Sequence, residues 1–139
     1  MAAAFVDTNI LLYAAGNAPS ERDKAAKARD ILTREDVVLS VQVLQEFYWV
    51  ATCPNKLALT HEEALAFINV WKMFPIQAIS IGIVEDALFL SQEHRISYWD
   101  AAIIAAARHL NCKTLYTEDL SHGGIYSGVK VVNPFLANR

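Results

Sequence analysis

An α/β domain with a largely parallel central sheet is the fold class this sequence predicts. Three observations carry that prediction. Short apolar runs of strand length alternate with longer segments of helical period. Gly, Pro, Ser and Asn punctuate the joints between them, and strands that alternate with helices build parallel pairs. The length, 139 residues, suits one core, and no repeat or low-complexity linker divides it, so residues 1–139 are read as a single domain.

The first strand is residues 2–6, an apolar run that ends on Asp7. Thr8 and Asn9 suit the cap of a short helix reaching residues 13–15, which Gly16-Asn17-Ala18-Pro19 breaks. A second helix is expected from Ser20 to about Arg34, with Asp23 placed for a capping box. Val37-Val38-Leu39 is the second strand, and Ser40 caps a helix to about Thr52. After the turn Cys53-Pro54-Asn55-Lys56, the capping box Thr60-His61-Glu62-Glu63 opens a helix to about Met73, and Pro75 ends it. Residues 76–79 make a short strand and 83–93 a helix. An alanine-rich helix runs from Ser97 to Leu110. A strand at 114–116 then leads into Thr117-Glu118-Asp119. Past the Gly123-Gly124 loop, Val129-Lys130-Val131-Val132 is the last strand, closed by Asn133-Pro134.

Composition narrows the function. The formal net charge of −3 excludes an overall basic field of the kind that drives non-specific nucleic-acid binding. A nucleic-acid partner must then be held by local basic residues or by metal ions. Arg22, Lys24, Lys27, Arg29 and Arg34 mark the second helix, where mixed signs read first as a solvated face and second as an RNA or partner contact. The hydrophobic fraction of 54% and mean hydropathy of +0.22 are high for a small domain, and a self-association surface accounts for the excess. The apolar sides of the 40–52 and 60–73 helices, with Phe47, Trp49 and Trp71, are the place for a dimer or partner surface, or else for core. Cys53 and Cys112 form no CxxC pair, so a reduced cytosolic compartment is expected. The N-terminus has no basic segment and Asp7 interrupts its apolar run, which is unlike a signal peptide. No apolar run approaches membrane-spanning length.

Four acids stand out. Asp7 and Asp119 lie at the carboxyl ends of expected strands, where open α/β sheets place their sites. Asp100 heads a stripe continued by Ile103, Ile104 and Ala107, with no lysine or arginine at helical spacing to pair with it. Locally it is also the third residue of a capping box begun by Ser97. Glu46 shares a stripe with Val43, Trp49, Val50 and Cys53, where it either snorkels to solvent or joins the same rim. Converging carboxylates at ~4 Å repel by about 4 kcal/mol per pair at an effective dielectric of ~20. Divalent cations relieve that repulsion, and oxygen-only ligands suit Mg²⁺ or Mn²⁺. The histidines His61, His94, His109 and His122 show no metal-ligand spacing. There is no G-x-S-x-G, phosphate-binding loop or G-x-G-x-x-G. His122, three residues after Asp119, reads as a loop histidine or as a substrate contact.

The sequence resembles a known family at Phe5-Val6-Asp7-Thr8-Asn9, Leu44-Gln45-Glu46-Phe47, Tyr98-Trp99-Asp100-Ala101-Ala102 and Leu115-Tyr116-Thr117-Glu118-Asp119-Leu120. These are similar to the motifs of PIN-domain ribonucleases, and the closing Val131-Val132-Asn133-Pro134-Phe135 is similar to the VapC-type toxins of toxin–antitoxin pairs. The resemblance covers essentially the whole chain. It implies a three-layer α/β/α sandwich and a Mg²⁺- or Mn²⁺-dependent endonuclease acting on RNA, with a homodimer and an antitoxin partner in the cytoplasm. By position it makes Asp7, Asp100 and Asp119 metal ligands, with Glu46 completing the catalytic cluster. Thr8, Asn9 and Thr117 become the residues that orient it, and whether Glu118 shares the role of Asp119 stays open.

Two other readings remain. One is a different metal-dependent phosphate hydrolase, although a dehalogenase-type phosphatase wants an aspartate where Asn9 stands. The other is a non-catalytic binding or regulatory module whose acids only cap helices.

Overall fold

The computed structural model describes residues 3–136. Six strands form one sheet in the order β3-β2-β1-β4-β6-β5, parallel throughout except for the β5–β6 pair. Their ranges are β1 Ala4–Val6, β2 Val37–Ser40, β3 Ile76–Gln77, β4 Thr114–Tyr116, β5 Ile125–Tyr126 and β6 Val129–Val132. The helices are α1 Thr8–Ala15, α2 Arg22–Ile31, α3 Val41–Ala51, α4 His61–Trp71, α5 Ile81–His94 and α6 Tyr98–His109.

Strand order dictates the layers. The chain steps from β1 to β2 to β3 in one direction and then crosses back to place β4 on the far side of β1. Parallel crossovers are right-handed, so reversing direction moves the connecting helices to the opposite face. Helices α1–α4 therefore cover one face and α5 with α6 the other. The packing agrees: α1 lies on α2 and α3, α3 on α4, and α6 on α5, β4 and β6. The result is a three-layer α/β/α sandwich. Its reversal point lies between β1 and β4, where the connections leave in opposite directions and a crevice opens at the carboxyl ends.

The core follows from the same arrangement. Phe5, Val6, Val37, Leu39 and Leu115 are buried because both faces of the sheet are covered. Helix α6 is buried from Ala101 through Ala107, and five alanines in those seven positions let it sit close between the sheet and α5. Both cysteines are free thiols. Among the described residues no helix is long and apolar enough to cross a membrane.

Some elements differ from expectation. Ala2, the expected first residue of the opening strand, lies outside the described residues, and the strand begins at Ala4. The cap of α1 is Asp7 rather than Thr8 or Asn9: its extended backbone and carboxylate take the Thr8 N–H. Ser20 does not cap α2. Pro19 starts a 3-10 turn, Pro19–Glu21, which places Ser20 inside the turn and makes Glu21 the cap without a side-chain bond. Helix α5 begins two residues early, after Ser80, whose hydroxyl accepts from Ile83 N–H at 3.2 Å. The hairpin strand β5 was not expected. Ser127 and Gly128, at φ 51° and 91°, make the two-residue turn that joins it to β6, and both positive angles match the twist of paired strands.

Candidate active site

Asp7 follows β1 directly and caps α1, so the backbone has little freedom to move its carboxylate. It is only 5% exposed. Thr8 N–H donates to its Oδ1 at 2.7 Å and the Thr117 hydroxyl donates to its Oδ2 at 2.8 Å. Thr117 is fully buried just after β4, and its oxygen also accepts from Asn9 Nδ2 and from Asp119 N–H, both at 3.1 Å. One hydroxyl thus ties the end of β1, the first turn of α1 and the loop after β4 together. Thr8 reaches the other way and donates to Glu46 Oε1 at 2.9 Å. Glu46 is half-buried in the second turn of α3, held by this bond rather than snorkelling free.

Asp100 stands in the first turn of α6. Ser97 Oγ accepts from Asp100 N–H at 3.1 Å, which is one half of a capping box. At Thr60 and Glu63 both halves form. At Ser97 only the serine half is present, so the cap fixes the backbone of Asp100 while its carboxylate points elsewhere. That carboxylate lines one cavity of about 560 Å³ together with Asp7, Glu46 and Asp119. All four sequence-predicted acids, with Thr8 and Asn9, line this cavity, and among the described residues no lysine, arginine or histidine does.

The electrostatics follow from that lining. Burial pushes the Asp7 carboxyl up to about 7; the Thr117 and Thr8 hydrogen bonds pull it back, and the charges of Asp119 and Glu46 push it further. Asp119 is also raised, first by desolvation and then by the charges of Asp100 and Glu118, against the pull of the Asn9 amide. Among the described residues no three acidic, histidine or cysteine side chains close into a metal cage. The set is open, and Mg²⁺ usually keeps several waters in its shell beside its carboxylate ligands. One atom bears on the fit. Asn9 Oδ1 is buried in the wall of this cavity with no hydrogen-bond partner, and an acceptor in that state is costly. Oxygen-only donors, an unpartnered acceptor and unbalanced negative charge all suit a hard divalent cation or the water that hydrates it.

Glu118 has a different place from Asp119. Its carboxylate accepts from the Tyr13 hydroxyl at 2.6 Å and from Lys24 Nζ at 3.2 Å, so it is drawn to α1 and α2 and away from the acidic cavity. Four lining residues not singled out for the site are Gln42, Gln45, Trp49 and Trp99. Trp49 and Trp99 are 73% and 64% exposed beside the acids. Their exposure was the missing signal: an exposed tryptophan beside polar residues cannot be told from a core one by residue type alone. Of the residues expected to form a partner surface, Phe47 and Trp71 belong to the core, where they pack edge to face at 4.7 Å, and only Trp49 is outside. The side chains of Val70 and Met73 are exposed on and just beyond α4.

A PIN domain profile matches residues 4–123. Three solved structures share the fold. A toxin–antitoxin complex from Klebsiella pneumoniae matches with a TM-score of 0.71 at 24% identity, covering 96% of this chain and 98% of that one. VapC20 of Mycobacterium tuberculosis, described as a sarcin–ricin-loop-cleaving toxin, matches at 0.64 and 22%, covering 84% and 90%. VapBC2 from Rickettsia felis, bound to a DNA fragment of its promoter, matches at 0.63 and 19%, covering 92% and 96%. No curated protein matches the chain.

Proposed function

The chain belongs to the PIN-domain family, and from that premise we propose that it is a Mg²⁺- or Mn²⁺-dependent endoribonuclease, the toxin of a toxin–antitoxin pair. The observation that carries the reading is the cavity that Asp7, Glu46, Asp100 and Asp119 line together, with no basic side chain among the described residues of its wall. In this reading Asp7, Asp100 and Asp119 hold the cation, and Glu46 completes the catalytic cluster. When bound, the cation would supply positive charge where a phosphate docks and would lower the pKa of its water toward neutral. The protein's own part is to fix the oxygens. Thr117 anchors one Asp7 oxygen and the Thr8 amide the other, while the Thr8 hydroxyl holds Glu46 and the Asn9 amide braces Thr117. Hydrolysis in line at phosphorus leaves a 5′-phosphate and a 3′-hydroxyl.

RNA is favoured over a small phosphate ester because two exposed indoles flank the acids, and aromatic faces stack on unpaired bases. The antitoxin partner rests on likeness to a structure described as a toxin–antitoxin complex, and the cytoplasmic setting rests on the two free cysteines.

The test is cleavage of a structured RNA with and without metal. Cleavage in Mg²⁺ or Mn²⁺ that stops in excess chelator, with 5′-phosphate ends, is expected. A calorimetric titration should show a saturable Mn²⁺ site. Chelator-resistant cleavage contradicts the metal mechanism, and no cleavage together with no Mn²⁺ site favours a structural acid cluster.

A further inference from the structure

An acidic cavity cannot by itself hold a polyanion, and a chain of net charge −3 offers no general attraction. A second cavity of about 440 Å³ lies between α2 and the carboxyl ends of β4 and β6. Its wall includes Lys27, Arg34, Tyr116, His122 and Asn133, with one acid, Asp30. The polar groups there are arranged as donors. His122 Nδ1 accepts from Asn133 N–H at 3.0 Å, which leaves Nε2 as the protonated, donating nitrogen. Asn133 Oδ1 accepts from Phe135 N–H at 3.0 Å, so the amide NH₂ is the end left over. Arg34 is fixed by Asp36 at 2.8 and 3.0 Å and by the Tyr116 hydroxyl at 3.0 Å. Among the described residues Lys27 forms no ion pair, not even with Asp30 one turn along the helix.

The groove is joined to the acidic site. The loop that carries Asp119 at one end carries His122 three residues later. Glu118 ties that loop to Lys24, and Lys24 and Lys27, three apart on α2, share a helix face. We propose that this groove is a phosphate subsite, in which Lys27, His122 and Asn133 hold the RNA backbone outside the bond that is cut. The proposal rests on the nuclease reading of the acidic cavity and names where that substrate is gripped. It also gives part of the basic face of α2 a role beyond solvation.

The experiment measures RNA affinity of the Asp100→Asn protein in Mg²⁺ by fluorescence anisotropy across a salt series, with folding checked by circular dichroism. Lys27→Ala added to that background should weaken binding up to about fivefold, the range of one exposed charge contact. It should also flatten the slope of log affinity against log salt by about 0.7, the value for one phosphate on a single strand. Lys27→Arg should restore both, and Arg22→Ala, on the same helix but outside the groove, should change neither. Inorganic phosphate at millimolar concentration that displaces RNA from the Lys27 protein but not from Lys27→Ala supports a phosphate grip. Equal slopes for Lys27→Ala and Arg22→Ala overturn the proposal, as does a loss of antitoxin binding on Lys27→Ala with RNA binding intact. If the protein binds no RNA, cleavage by the unmutated chain separates the failures. Cleavage retained condemns the subsite alone; cleavage absent condemns the nuclease reading as well.

Discussion

At the scale of single residues, Asp7 sets the behaviour of the site. Its carboxyl is raised to about 7 from an ordinary 3.8, chiefly by burial, so the folded chain binds a proton there that the unfolded chain releases at much lower pH. Stability from this group is complete below about pH 4 and is lost as pH rises through about 7, a swing on the order of 4 kcal/mol at most. Metal-free protein should therefore lose stability across pH 4–7 in urea titrations, and Asp7→Asn should remove most of that slope. A flat profile for the unmodified chain would show that the carboxyl is not desolvated. Saturating Mn²⁺ should flatten the slope too, because a cation takes the proton's place. This residue's position was legible in the sequence, since an aspartate closing a β-strand run in an α/β pattern belongs at the strand-end rim. The pairing of Thr117 with Asp7 was not legible. It joins residues 110 positions apart, and only strand order makes β1 and β4 neighbours.

At the scale of elements, the caps decide where the carboxylates point. Helix periodicity located α3, α4 and α6 correctly because their buried stripes are strong, and it failed where punctuation was subtle. Pro19 shifted the start of α2, and a two-residue turn at Ser127-Gly128 hid a short edge strand. The competing roles of Glu118 and Asp119 were beyond the sequence because neighbours in a loop differ only through distant partners, here Tyr13 and Lys24. That clasp aims the loop. Its ion pair is partly exposed, so Glu118→Gln should change stability by less than about 1 kcal/mol. It should nevertheless weaken calorimetric Mn²⁺ binding by about tenfold, as the loss of an outer support does at metal sites. Unchanged Mn²⁺ affinity would mean that Thr117 alone positions Asp119.

For the whole molecule, the order in which strands are laid down creates both the crevice and its two differently charged flanks. The acidic cavity collects Asp7 just after β1 and residues from α1, α3, α6 and the loop after β4, and the donor-rich groove collects its own from α2 and the turn beyond it, the ends of β4 and β6 and the loop that carries His122. Association is a separate matter. Tyr48, Leu65, Val70 and Met73 leave apolar surface uncovered on the α3–α4 side, so sedimentation at micromolar concentration is expected to show a dimer. A monomer would contradict a constitutive one. Whether the four acids act together on RNA is tested most sharply at Asp100. Its backbone cap is independent of its carboxylate, so Asp100→Asn should preserve the fold. RNA cleavage by Asp100→Asn in Mg²⁺, with circular dichroism matching the unmodified chain, is predicted to fall on the order of a hundredfold or more. Cleavage at the unmodified rate would mean that Asp100 has no part in the reaction.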